Sequence, residues 1–86
     1  MKTIWKFPLK MTGHQEIEIP LPATVLTVQP QGDSVYLWGE VDPKSERVRV
    51  SIVMLGTGHE IPGGGLRYIS TIQLGSLVFH FYEVHE

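Results

Sequence analysis

The stretch Arg47-Val48-Arg49-Val50-Ser51-Ile52-Val53-Met54-Leu55 decides the fold. Val48, Val50, Ile52 and Met54 alternate with Arg47, Arg49, Ser51 and Val53. Successive side chains of a strand point to opposite sides of its sheet, so this period of two sets one apolar row against a core. No helical spacing of i, i+3, i+4 competes with it.

The same reading extends outward. Toward the N-terminus, Thr3, Trp5, Phe7 and Leu9 share one face and Lys2, Ile4 and Lys6 the other. Pro8 cannot donate to a ladder and marks an edge or a strand end. His14 to Ile19 turns Ile17 and Ile19 inward and Glu16 and Glu18 outward. Pro20 and Pro22 bracket a kink before a strand from Ala23 to Gln29, which Pro30-Gln31-Gly32-Asp33 ends as a turn. In Ser34 to Val41, Val35 and Leu37 oppose Tyr36 and Trp38, so both faces are partly covered. Asp42-Pro43-Lys44-Ser45 is the next turn. Toward the C-terminus, Leu66 to Gln73 and Leu77 to Val84 flank Gly75-Ser76 and read as a hairpin. About seven short strands predict an all-β fold, a small antiparallel β-sandwich or barrel. Residues 1–86 are expected to form a single all-β domain. The mostly short connections predict that neighbours in sequence lie mostly antiparallel.

Composition narrows the function classes. The 86 residues include no cysteine, so neither a disulfide nor a zinc thiolate is available. A core this small gains from a second subunit, and a homo-oligomer is the expected assembly. The formal charge of −2 argues against general nucleic-acid binding, which leaves a basic footprint. Met1-Lys2-Thr3-Ile4-Trp5-Lys6-Phe7-Pro8 lacks the apolar core of a signal peptide. No apolar run approaches the ~18 residues of a membrane span. The expected location is the cytoplasm, away from any membrane.

The main site candidate is Gly56-Thr57-Gly58-His59-Glu60-Ile61-Pro62-Gly63-Gly64-Gly65, which holds five of the nine glycines. Successive amides at Gly56, Thr57 and Gly58 are candidates for an anion-binding nest, with the His59 imidazole beside them. The competing reading is a plain connection that turns sharply. The segment lacks the lysine and following helix of a P-loop and the spacing of a dinucleotide fingerprint. Arg47, Arg49 and Arg67 suit carboxylate or phosphate, or else pair with surface acids such as Glu46 and Glu40. Were Arg47–Leu55 and Leu66–Gln73 paired as a hairpin, Arg67 would lie at the loop end and Arg47 far down the ladder. Tyr36, Trp38 and Tyr68 are candidates for stacking on a planar ligand or for a subunit interface. His14, His59, His80 and His85 have no metal-ligand spacing, so no metal or cofactor is expected. His80 reads as a half-exposed strand residue. His59 and Glu60 are adjacent and point apart on an extended chain, so no catalytic residue is assigned.

Four segments together carry a resemblance: Met1 to Leu9, Leu37 to Pro43, Gly56 to Pro62, and Tyr68 to Gln73 with Leu77 to Val84. In them the Met-Lys-Thr-Ile-Trp-Lys start and the Gly-Thr-Gly-His-Glu-Ile-Pro middle stand out. Over nearly the whole chain the sequence resembles a family of short bacteriophage and prophage proteins. The resemblance implies a source and no particular chemistry. By analogy of size and context, it implies a protein that counters host defence in the host cytoplasm. The leading expectation is an oligomer that binds and sequesters a small anionic, nucleotide-derived defence signal. One alternative is a module that binds a host defence protein or serves virion assembly through the edge at residues 2–9 and the surplus aromatics. A further alternative is a small hydrolase of such signals using His59 and Glu60.

Overall fold

The computed structural model describes residues 1–85. They form β1 (Thr3–Leu9), β2 (His14–Pro20), β3 (Ala23–Gln31), β4 (Ser34–Val41), β5 (Arg47–Gly56), β6 (Leu66–Leu74) and β7 (Leu77–Val84). β1, β4 and β3 make a three-stranded sheet in that order, and β2, β5, β7 and β6 make a four-stranded one. The two sheets stack as a sandwich and are not closed into a barrel. Among the described residues, no helix is long and apolar enough to cross a membrane.

Every strand pair is antiparallel. Only β3–β4 and β6–β7 join consecutive strands, however. The expectation for sequence neighbours therefore holds for those two hairpins. Consecutive strands are not partners at β1–β2, β2–β3 and β4–β5, where the chain passes from one sheet to the other. The expectation fails outright at β5–β6, which run parallel on either side of β7. Alternation fixes which face a residue takes, whereas partner choice depends on long-range packing.

The predicted inward rows meet between the sheets. Leu9, Val28, Val35, Leu37 and Val41 from one sheet pack against Ile19, Ile52, Ile72 and Phe81 from the other. Phe81 is fully buried. A buried side chain of this kind contributes about 1.5–3 kcal/mol of transfer free energy. Edge strands β3 and β6 lie side by side where their registers shift, between Val25 and Thr27 and between Tyr68 and Ser70. There Ser70, 6% exposed, accepts the Val28 N–H at 2.8 Å and shares a hydrogen bond with Thr27 Oγ1 at 3.0 Å. This hydroxyl fastens one sheet to the other and satisfies a buried amide of the edge strand β3.

The connection from β5 to β6 positions the candidate site. Both strands pair with β7, so they run parallel to each other on either side of it. Parallel strands need a crossover, not a turn. At one end Thr57 donates its N–H to Val78, and at the other His85 donates its N–H to Gly65. Residues 57–65 thus return along β7 over about 20 Å as a strap. The hairpin geometry considered for Arg47 and Arg67 does not occur, because β7 separates β5 from β6.

Candidate functional site

The strap lies over the outer face of the four-stranded sheet. The period of two that turns Phe79 and Phe81 toward the core sends His80 and Tyr82 of β7 outward. Register then places Leu55 and Thr71 on either side of His80. With Thr57, His59 and Ile61 from the strap, Leu55, His80 and Tyr82 enclose a cleft of about 260 Å³.

The strap begins with a tight turn. His59 donates its N–H to the Gly56 carbonyl at 3.1 Å, closing a four-residue turn. Gly58 sits at its third position with φ of +93°, a conformation that makes the turn type II and requires glycine. His59 then folds back, and its Nδ1 accepts the Gly56 N–H at 3.2 Å. The imidazole rests directly on Gly56, where a Cβ would come within 3.1 Å of the ring. The close approach that the glycines suggested is therefore made by His59. With Nδ1 acting as acceptor, the neutral ring carries its proton on Nε2, a donor at the cleft. The Gly56 and Thr57 amides are both engaged within the chain, the second with Val78. The donors this arrangement offers a ligand are therefore side-chain groups and the Gly58 amide rather than a run of three amides.

Beneath the strap runs a row of hydrogen-bonded side chains. Tyr68 OH lies 2.6 Å from Thr71 Oγ1, which lies 2.9 Å from His80 Nδ1. On the other side of the ring, Nε2 lies 2.8 Å from Thr57 Oγ1. Tyr68 also packs edge-on against Tyr82, with ring centroids 5.7 Å apart. Sequence reasoning missed this row. His80 read as a bland strand residue, and Thr71 carried no signal apart from the register that places it beside His80.

The remaining site candidates lie elsewhere. Arg49 shares the outer face but sits about 20 Å down β5 from Leu55. It faces Glu16 at 3.9 Å, and both side chains are largely exposed, so their attraction is heavily screened. Arg47 stands over the Trp5 ring at 5.5 Å, across the sandwich. Arg67 meets His85 Nε2 at 3.3 Å. With Tyr68, Glu83 and the start of β3, Arg67 lines a separate cleft of about 230 Å³ along the β3–β6 seam. Tyr36 and Trp38 lie on the outer face of the opposite sheet, packed edge-to-face at 5.7 Å. The structure thus gathers Gly56, Thr57, Gly58 and His59 at one cleft. It joins Tyr68 to them through Thr71 and His80, and separates them from all three arginines and from Tyr36 and Trp38. Among the described residues, no group of three or more metal-ligating side chains converges.

Residues 1–86 match the family described as Domain of unknown function (DUF7352), and the chain belongs to that family. No curated protein and no solved structure matches it.

Proposed function

We propose that this member of the family is a bacteriophage-encoded, oligomeric, non-catalytic binding protein that sequesters a small anionic, nucleotide-derived defence signal under the strap. The observation that carries the reading is the make-up of the strap cleft. An apolar wall of Leu55, Ile61 and Tyr82 faces donors from Thr57 and His59. A mostly apolar concavity with a few placed polar groups suits a small ligand with a planar part and an oxyanion. In this reading Tyr82 takes the stacking role expected of Tyr36, Trp38 or Tyr68. Thr57 and His59 hold the anion, and any arginine contribution comes from a second copy.

Native mass spectrometry with cyclic nucleotides, AMP and ADP-ribose tests this. The expected result is an oligomer carrying intact nucleotide at whole-number stoichiometry, lost in His59→Ala. A protein that stays empty across the panel contradicts it.

One observation favours a second reading, a module that binds a host or virion protein. β1 is an edge strand, and its neighbour β4 presents Tyr36 and Trp38 on the adjoining outer face. An exposed edge beside half-buried aromatics suits strand addition by a partner. Stoichiometric capture of one protein by the parent chain, lost in Trp38→Ala and kept in His59→Ala, would favour it.

A further inference from the structure

The row Tyr68–Thr71–His80–Thr57 holds one more proton than its internal links use. In the neutral state each of the three hydroxyls carries one proton and the imidazole one, giving four protons for three links. The fourth must leave the row at an end. Two arrangements keep every link donating in one direction. In one, Tyr68 donates to Thr71, Thr71 to His80 Nδ1, and His80 Nε2–H to Thr57, so the Thr57 proton points out of the row. In the other, each donor reverses, His80 is protonated on Nδ1, and the spare proton leaves from the Tyr68 phenol. Tyr68 is 53% exposed, so water receives it there. Chains of aligned hydrogen bonds polarise one another, which favours these two uniform directions over a broken row.

The two ends differ in what they meet. Thr57 lines the strap cleft, and the phenol end meets solvent beside the seam cleft. We infer that the row is a reversible donor relay: an oxyanion entering the strap cleft draws the Thr57 proton outward and selects the Nε2-protonated tautomer of His80. This deepens the ligand-binding reading and rests on it. It also supplies a role that the arginines do not fill. The cleft gains an oriented hydroxyl donor next to His59 Nε2–H, so two neutral donors converge on one acceptor. The chemical class selected is a ligand bearing a phosphate or carboxylate oxygen. Tyr68 and Thr71 are positioning residues that act through His80 without touching the ligand.

Imidazole nitrogen NMR of the uniformly ¹⁵N-labelled chain, at about pH 8 where free imidazoles are neutral, tests the relay. AMP and inorganic phosphate are the probes. Without probe, the two His80 nitrogens should show averaged shifts from exchange between the two directions. At saturation Nδ1 should take the shift of a bare nitrogen and Nε2 that of a protonated one. His59 is the internal reference, because its Nδ1 accepts the Gly56 N–H throughout. Tyr68→Phe keeps the ring against Tyr82 and removes only the terminal donor, so AMP should bind about two- to tenfold more weakly. Should AMP shift the Thr57 and His59 amides while the His80 tautomer stays put and Tyr68→Phe binds like the parent, the relay is overturned and the cleft reading stands. If neither probe perturbs Thr57 or His59, relay and cleft reading fall together.

Discussion

On the outer face of the three-stranded sheet, Lys6 stands 4.5 Å over the Tyr36 ring and reaches Gln31 at 2.7 Å, while Tyr36 packs on Trp38. On the outer face of the four-stranded sheet, Thr57, His59 and His80 hold polar atoms at the mouth of a cleft roofed by the strap. Both faces come from the same alternation of side chains. They differ because β5 and β6 flank β7 in the four-stranded sheet, which forces residues 57–65 to cross it, whereas the consecutive strands β3 and β4 of the other sheet are joined by a tight turn. The crossing, more than the glycine content, makes a concave site. The glycines matter at two points: Gly58 makes the turn and Gly56 seats the His59 ring.

The strongest way to break the comparison is to remove what both faces share. Phe81→Ala empties the centre of the core under both sheets and should cost about 3–5 kcal/mol. Thermal unfolding followed by circular dichroism should show a large fall in Tm, with signals from the two faces lost in one transition. Loss of the strap signals well before the rest would mean that the four-stranded face is stabilised separately. Ser70→Ala leaves the buried Val28 N–H without its partner and should cost about 1–3 kcal/mol. Its effect should appear as faster hydrogen exchange at Val28 and along the β3–β6 seam; unchanged exchange there would deny Ser70 its fastening role.

Alternation along Arg47–Leu55 and its neighbours was enough to place all seven strands, with bounds that differ by a residue or two at β2, β3, β5 and β6. The inward faces of β1, β2, β4, β5 and β7 were legible from the period of two, although Val48 and Leu77 at the strand ends are exposed. Pairing was legible only at the hairpins β3–β4 and β6–β7. β1–β4, β2–β5 and β5–β7 unite segments far apart in sequence, and nothing local selects them. The candidate cleft was half legible for the same reason. Gly56 to His59 are contiguous and announced themselves, whereas His80 and Thr71 join them only once β7 lies between β5 and β6. The distance of Arg47 and Arg49 from the loop was legible, since strand residues six apart are about 20 Å from each other. The place of Arg67, however, was judged from a β5–β6 hairpin that β7 interrupts.

Two smaller effects sharpen the contrast between the faces. Gly58→Ala forces a Cβ into the left-handed region and should cost about 1–2 kcal/mol. AMP affinity should fall with it, while the fluorescence of Trp38 stays unchanged; a variant as stable as the parent would mean that the turn is dispensable. Trp38→Ala should leave AMP affinity within about twofold, since distant sites act nearly independently. Isothermal titration calorimetry checks this, and a larger loss would place the ligand on the wrong face.

The most direct test is a backbone amide NMR titration of the chain with AMP. The account predicts shifts concentrated at residues 56–61 and at His80, with Tyr36 and Trp38 unmoved. Shifts centred on Tyr36 and Trp38, or none at all, would contradict the strap cleft as the binding site.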